Sequence, residues 1–424
     1  MKKFEYIIVL PFFLLVSSCN FLLEETPVDT LQEEELTSEH IQSLVRGVYH
    51  TLADCTPAAL ILNDCLGETI ENNANNNGSL VNANIAHNNF MADNSFVENY
   101  YYYLYGVIHQ ANYVIDFLIN KADLSDERNV QMIGSLHYLR AYCYLKLVTQ
   151  FGDVPIVTQI TEDVVLRSPT ADVWQRIKDD LAIAIDQCRA WDQAPPEDPT
   201  AARYYYYASS EAASALLARV YLYNREYNKA KSIARTFLED QRFQLVAANS
   251  LGAAAVGVGA KELIMCISNN TGAYFYRNIF NTYAMTPSGS YQFKPFQSFI
   301  DSMDPADARY SVCIGLSNDG YTTVNKFNYN SVSTCPFTIS RFTEMYLIFA
   351  ECAPDESGLA KLNELRAARN LPPLDKKILD NPSLYVDAIL DERKVEFYGE
   401  NHYFYDLVRL GKALELFRVS FPFG

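Results

Sequence analysis

The sequence predicts an all-α-dominated fold: a scaffold of tetratricopeptide-like helix pairs with an irregular, partly β, loop-rich insert. Two observations predict it. Apolar residues recur every three or four positions through most of the chain, in paired stretches joined by short turns. Residues 242–339 instead contain runs of Tyr and Phe with Gly, Asn and Pro, and no regular period.

Capping residues and short turns delimit the predicted helices. Asp126, Thr170 and Ser209 are candidate N-caps, because each precedes a stretch with helical apolar periodicity. Around Asn224–Glu226, two helical stretches carry alanines where they would meet, as tetratricopeptide units do. The pairs do not recur at the usual interval of about 34 residues, so we expect the helical array to be interrupted.

The composition excludes several classes of protein. Of 424 residues, 49% are hydrophobic and 20% are charged, which is enough for a large core and excludes intrinsic disorder. The net charge of −17 argues against nucleic acid as a partner. Aromatic usage is unusual, since the chain has 30 Tyr and 24 Phe but only 2 Trp.

The N-terminus has the features of a targeting signal. Two lysines precede Tyr6–Val16, an apolar stretch shorter than the roughly 20 residues that span a membrane. Ser17–Cys19 follows and has the form of a lipobox, where bacterial signal peptidase II cleaves. We therefore predict a signal peptide over residues 1–18, lipid attachment at Cys19 and an acidic tether over residues 19–37.

Signals of catalysis or metal binding are weak in this sequence. It has no HExxH motif, P-loop or G-x-S-x-G motif, and its six histidines show no metal-ligand spacing. No cofactor, metal or catalytic residue is therefore expected. Of the other cysteines, Cys55 and Cys65 are close enough in sequence for a disulfide, and whether they pair is left open.

Three segments carry motifs that belong together. They are Leu139–Pro155, Glu344–Arg366 and Asp391–Arg409. With Cys19–Leu22, they resemble the SusD/RagB family of surface nutrient-binding lipoproteins, in the same order and over most of the chain. The resemblance implies a helical tetratricopeptide scaffold that covers a SusC-like TonB-dependent transporter. It also implies binding of oligosaccharide, less often peptide, and a lipid anchor in the outer membrane that faces the exterior.

The chain departs from that family in two respects. It is shorter than many members, and it ends at Phe421–Gly424 without the usual C-terminal tail. Sugar specificity therefore cannot be transferred. The charged residues of the matched segments, such as Glu344, Arg393 and Asp406, are interpreted as paired scaffold groups and not as catalytic residues.

Exposed aromatic side chains are the best candidates for ligand contact, because sugar rings present apolar faces that stack on them. Tyr100–Tyr103 cannot all face inward on one helix, so at least one is expected at the surface. A similar run, Tyr204–Tyr207, is a candidate for the transporter interface. The ligand-contact candidates are Asn75, Tyr101, Tyr102, Tyr274, Tyr276, Tyr283 and Tyr291.

The leading hypothesis is a non-catalytic glycan-binding lipoprotein. Three alternatives stay open: a peptide-binding member of the same family, a tetratricopeptide lipoprotein that assembles outer-membrane proteins, and a surface glycoside hydrolase. The expected organisation is a signal peptide (1–18), a tether (19–37), a helical scaffold (38–241), a ligand-side insert (242–339) and a C-terminal helical part (340–424).

Overall fold

The computed structural model describes residues 37–72, 95–252, 261–268, 293–316, 320–327 and 336–420. Over these residues the chain forms 13 α-helices and eight short strands. Six helices precede the insert: α1 (Ser38–Leu66), α2 (Ser95–Lys121), α3 (Glu127–Phe151), α4 (Thr170–Gln187), α5 (Ser210–Tyr223) and α6 (Tyr227–Glu239).

Two short helices lie in the described part of the insert, and five described helices follow it. Those of the insert are α7 (Gln297–Ser302) and α8 (Tyr310–Cys313). Those after it are α9 (Phe342–Cys352), α10 (Glu356–Ala368), α11 (Pro382–Glu396), α12 (Tyr403–Arg409) and α13 (Ala413–Ser420). The sequence pattern of residues 404–417 indicates a helical stretch, but the chain breaks it between α12 and α13 at Gly411, whose φ is +73°.

The helices form a continuous array. Each of α1 to α5 packs against the helix that follows it, α9 packs against α6, and α10 packs against α9. The array therefore continues across the roughly 100 residues that separate α6 from α9. This confirms the predicted tetratricopeptide-like helix-pair scaffold with an irregular insert.

Local capping explains where several helices begin. The side chain of Asp126 accepts a hydrogen bond from the Arg128 amide, and that of Ser209 accepts one from Ala212, so both predicted N-caps are confirmed. The expected cap at Thr170 is wrong. Pro169 occupies the N-cap position of α4, and the Thr170 amide donates to Asp153 Oδ1 at 2.8 Å. A residue 17 positions upstream therefore supplies the cap.

The strands pair in twos, all antiparallel. The first and last strands of the insert, β4 and β8, close its base, and a hairpin of β2 and β3 links α3 to α4. The strands are β1 (Ile70–Asn72), β2 (Val154–Pro155), β3 (Arg167–Ser168), β4 (Leu263–Ile267), β5 (Phe293–Pro295), β6 (Ile314–Leu316), β7 (Thr322–Val324) and β8 (Phe337–Arg341).

The charged residues of the recognised motifs are buried and paired. Glu396 lies between Arg309, Arg341 and Arg369, with Arg369 Nη2 2.9 Å from its Oε1. Burial alone would raise the pKa of Glu396, but the three guanidinium groups outweigh it and hold that pKa well below its usual range. The other segments follow the same pattern, since Arg219 binds both oxygens of Glu344 at 2.6 Å.

The cysteines of the described residues are buried thiols. Cys55 and Cys65 are both free, so they do not pair. Burial raises the pKa of the Cys55 thiol to about 12, which keeps it protonated and unreactive. Cys19 lies outside the described residues. Within the described parts of the chain, none of the helices combines the length and apolar character needed to cross a bilayer.

Candidate functional site

The strand pair of β1 and β5 brings together two distant parts of the chain. Ile70 is opposite Pro295 and Asn72 is opposite Phe293, and a salt bridge of 3.1 Å joins Glu71 to Lys294. Asn72 is the first of nine asparagines within residues 72–89, which we call the Asn-rich segment. Phe293 lies two positions after Tyr291, the last tyrosine of residues 274–291, which we call the Tyr-rich segment. The residues that border the two segments are thus paired in one strand pair.

Five of the predicted ligand residues belong to those two segments. Asn75, Tyr274, Tyr276, Tyr283 and Tyr291 all lie outside the described residues. Their role as ligand contacts therefore stays a prediction, which rests on the chemistry of aromatic and amide side chains.

A buried carboxyl group anchors the strand pair to the scaffold. Asp64, near the end of α1, accepts hydrogen bonds from the Thr69 hydroxyl at 2.9 Å and from the Gly399 amide at 2.9 Å. The carbonyl of Thr69 accepts in turn from the Phe296 amide at 3.0 Å. Burial raises the pKa of Asp64 to about 6, because the charged form loses its hydration. The strand pair is thus fixed to both α1 and the chain before α12.

The tyrosine run at the start of α2 divides between core and surface. Tyr100 is only 1% exposed, whereas Tyr102 is 73% and Tyr103 is 44% exposed. Tyr101 is half-buried, and its ring packs edge-on against Phe151 at 5.0 Å between ring centroids. The structure therefore confirms that the run cannot point inward as a whole.

Tyr102 and Tyr103 form an exposed aromatic edge. Their ring centroids lie 6.4 Å apart at an interplanar angle of 70°. The sequence singled out Tyr101 and Tyr102 as ligand contacts, and that role stays a prediction; Tyr103 is exposed beside Tyr102 as well. Aromatic faces in this setting can stack on flat apolar surfaces of a ligand but carry out no covalent chemistry.

Tyr204–Tyr207 lies against the insert. Tyr205 and Tyr206 pack on Leu263 of β4, and Arg189 Nη2 donates to the carbonyl oxygens of Tyr204 and Tyr207 at 2.6 and 2.9 Å. This run therefore joins the scaffold to the base of the insert. Its proposed role at a transporter interface stays a prediction.

One buried lysine has a pKa close to that of a catalytic base, but a ligand cannot reach it. Burial, reinforced by Arg219, lowers the pKa of Lys146 to about 7. Its Nζ donates to the carbonyl oxygen of Asn401 at 3.3 Å, and its side chain is buried within α3. Since no ligand can reach it there, Lys146 is a structural link between α3 and the chain before α12.

The described residues offer no metal site, since no group of three His, Cys, Asp or Glu side chains is arranged to hold an ion. A pocket at the base of the insert is lined by charged groups that already bind one another. Glu400, for example, accepts from Arg341 at 2.9 Å and also pairs with Lys326. These charges hold the insert on the scaffold.

Comparison with known proteins agrees with this architecture, a tetratricopeptide-like scaffold with a strand-closed insert. Residues 20–222 match the family described as "Starch-binding associating with outer membrane", and residues 268–421 match the family described as "SusD family". The chain belongs to the SusD/RagB family.

Relatives and solved structures extend the similarity over nearly the whole chain. SusD-like protein P25 of Formosa agariphila is 23% identical over 98% of this chain and 91% of its own length. A "Laminarin binding SusD-like protein" is 20% identical in sequence. The structural alignment covers 90% of this chain and 93% of that chain, with a TM-score of 0.75. A SusD superfamily protein from Bacteroides thetaiotaomicron is 20% identical, and its structural alignment covers 89% of each chain with a TM-score of 0.74. At these identities the structural likeness shows a shared fold.

Proposed function

We propose that this protein is a lipid-anchored outer-membrane protein that faces the exterior. It binds oligosaccharides and passes them, uncleaved, to a SusC-like TonB-dependent transporter. The observation that carries the proposal is the pairing of β1 with β5, which places opposite each other the residues that border the Asn-rich and the Tyr-rich segments. Amide and aromatic side chains together provide what sugar recognition needs, since amides bind hydroxyl groups and aromatic rings stack on C–H faces.

The family supports the glycan part of the proposal. One family description names starch binding, and one solved relative is described as laminarin-binding. Binding without cleavage is supported by the pairing of the buried carboxylates. Glu344, Glu351 and Asp406 each hold an arginine in the scaffold. A glycosidase instead needs two carboxyl groups that face the substrate.

A glycan array tests the ligand class. The soluble form that begins at residue 20 is applied to an array that includes laminarin and starch oligosaccharides, with a peptide array in parallel. We expect glycan binding and no new reducing ends during incubation. Binding to peptides alone would assign the protein to a peptide-binding role, and new reducing ends would show that it is an enzyme.

Two matched variants test the aromatic edge. Tyr102→Ala removes an exposed ring of the aromatic edge, and Tyr113→Ala removes a ring that is 40% exposed, three turns further along α2. We expect Tyr102→Ala to weaken glycan binding about tenfold, because one stacked ring is worth about 1 to 1.5 kcal/mol. Tyr113→Ala should bind like the wild type in calorimetry. Equal affinities of the two variants would contradict a ligand role for Tyr102.

Replacing the predicted lipid-attachment residue tests the anchor. Cys19→Ala cannot form the acyl thioether, so the protein should move from the outer-membrane fraction to the soluble fraction. The comparison is made in cells that lack the transporter, which could otherwise retain the protein. A variant that still sediments with the membrane would show that Cys19 is not the anchor.

A further inference from the structure

The loop between β2 and β3, residues 158–166, exposes an unusual set of aliphatic side chains. Val164 is 90% exposed, Leu166 is 80% exposed and Ile160 is 44% exposed. A single exposed aliphatic residue needs no explanation, but three from one short loop are typical of a surface that contacts another molecule. We call residues 158–166 the aliphatic loop.

Buried polar groups fix the start of this loop. The Tyr144 hydroxyl donates to the carbonyl oxygen of Val157 at 2.9 Å and accepts from the Val157 amide at 2.7 Å. Asn112 Nδ2 donates to the same carbonyl at 3.0 Å. Asn112 is held by Arg140 Nη1 at 2.6 Å, and Arg140 is bound to the buried Asp180.

This anchoring has an energetic consequence. A loop that is already ordered loses little conformational entropy when it binds a partner. Because the chain is fixed at Val157, the ordering cost is lowered at the start of the loop, so more of the free energy gained from burying Val164 and Leu166 would contribute to affinity.

The aliphatic loop adjoins the helix that carries the exposed aromatic edge. The Tyr105 hydroxyl donates to the carbonyl oxygen of Pro155 at 2.7 Å, and Tyr105 lies within one turn of Tyr102 and Tyr103. The strand that leads into the aliphatic loop is thus bonded to the first half of α2, which carries the exposed aromatic edge. A protein that accepts ligand from this face must approach the loop.

The charges around the loop indicate the chemistry of that protein. Glu162 and Asp163 are exposed between Ile160 and Val164, and the whole chain carries a net charge of −17. A complementary surface would have an apolar recess beside lysine or arginine side chains. Opposite charges would also speed the encounter of the two proteins.

We propose that the aliphatic loop docks this protein onto the extracellular surface of its TonB-dependent transporter. There, an apolar recess with a basic rim receives Val164 and Leu166. The inference rests on the proposed function, because it takes the transporter as the recipient of the ligand. It goes further in assigning the contact to one loop and in stating the chemistry of the opposing surface.

Co-purification from outer membranes tests the proposal. A tagged full-length protein is isolated from its native host, and the TonB-dependent transporter in the eluate is identified and quantified by mass spectrometry. The test variant is Val164→Asp combined with Leu166→Asp. The control is Leu384→Asp, at a leucine of α11 that is 54% exposed.

We expect the amount of co-purified transporter to fall at least tenfold with the double variant, because each aspartate places a charge in an apolar contact. The Leu384→Asp control should retain the wild-type amount, and glycan affinity should stay within twofold in both. Equal recovery of transporter with the double variant would overturn the proposal. Recovery of no transporter with the wild-type protein would overturn the proposed function as well.

Two further measurements test the basic rim of the transporter recess and the alternative that a second copy of this chain binds the loop. Glu162→Lys combined with Asp163→Lys should reduce recovery of the transporter about threefold in low salt and less in 0.5 M salt, because salt screens the charges. Unchanged recovery in low salt would contradict a basic rim. In sedimentation experiments, the soluble wild-type protein and the double variant should have the same oligomeric state. A dimer that only the wild type forms would assign the loop to a second copy of the chain.

Discussion

The scaffold interior and the exposed edge of α2 contain the same kinds of side chain but use them in opposite ways. In the interior, Tyr138 is fully buried and Glu396 is held by three arginines. At the edge, Tyr102 is 73% exposed and Tyr103 is 44% exposed. The difference predicts that stability depends on the interior residues and that the proposed recognition depends on the exposed ones. Substitutions should therefore change one property without the other.

Removal of the central carboxylate should give the largest loss of stability. Glu396→Gln leaves Arg309, Arg341 and Arg369 buried without their shared countercharge. We expect the free energy of unfolding to fall by about 3 to 5 kcal/mol in urea titrations. A control at a surface pair, Lys361→Ala beside Glu364, should cost less than about 1 kcal/mol. Similar losses for the two variants would contradict the division between interior and edge.

Two glycines in neighbouring helices should give opposite effects. A Cβ at Gly134 of α3 would lie 2.7 Å from the backbone nitrogen of Cys188, so Gly134→Ala should cost about 1 to 3 kcal/mol. A Cβ at Gly106 of α2 meets nothing within 4 Å, so Gly106→Ala should stabilise by about 0.5 to 1 kcal/mol. Thermal unfolding of both variants measures this. A stable Gly134→Ala variant would show that α3 and α4 pack less closely than described.

The buried lysine predicts a pH dependence of stability. Its pKa of about 7 lies below the ordinary value of 10.5, so the native state binds fewer protons than the unfolded chain between these values. The contribution of Lys146 to the free energy of unfolding should therefore rise from pH 7 to 8.5, by up to about 1.4 kcal/mol per pH unit. Below pH 7 the native side chain is also charged, so the contribution of Lys146 to the free energy of unfolding no longer changes with pH.

The difference between wild type and variant isolates that slope. Lys146→Met removes the titrating group, so its curve of unfolding free energy against pH should be flatter than that of the wild type between pH 7 and 8.5. Lys361→Met, at the surface, should keep the wild-type slope. Parallel curves for Lys146→Met and the wild type would show that Lys146 is not desolvated in the native protein.

The smallest effect on stability is expected at the aromatic edge. Tyr102→Ala should change the free energy of unfolding by less than about 0.5 kcal/mol, because the ring is mostly in solvent. Tyr100→Ala, two residues away, should cost about 3 kcal/mol or more, because that ring is buried. Chemical denaturation of this pair compares core and surface within one turn of helix. A large loss from Tyr102→Ala would contradict its assignment to the edge.

The helical scaffold was predictable because its signals are local. The apolar spacing of α3, the cap at Asp126 and the cap at Ser209 all lie within a few residues of the helices that they define. The buried charge pairs were also anticipated, since arginine and carboxylate residues alternate with aromatics through the recognised motifs. The cap of α4 was assigned wrongly because the side chain that accepts from the Thr170 amide belongs to Asp153, which lies 17 residues upstream, between α3 and β2.

The site was harder to predict because its contacts join distant residues. No local pattern pairs Asn72 with Phe293, since each strand is only three residues long. The exposure of Tyr102 depends on the phase of α2, which four consecutive tyrosines do not reveal. The aliphatic loop was missed for a similar reason, since Val164 and Leu166 have the composition of a buried strand.

The pairing of β1 with β5 also determines when in folding the proposed site can form. The partners are roughly 220 residues apart, so closing this contact comes late, after the local helices have assembled. A chain that is still emerging from the ribosome, or one truncated before residue 293, lacks β5 and cannot form this strand pair. The region of the proposed site is therefore completed last, once nearly the whole polypeptide is in place.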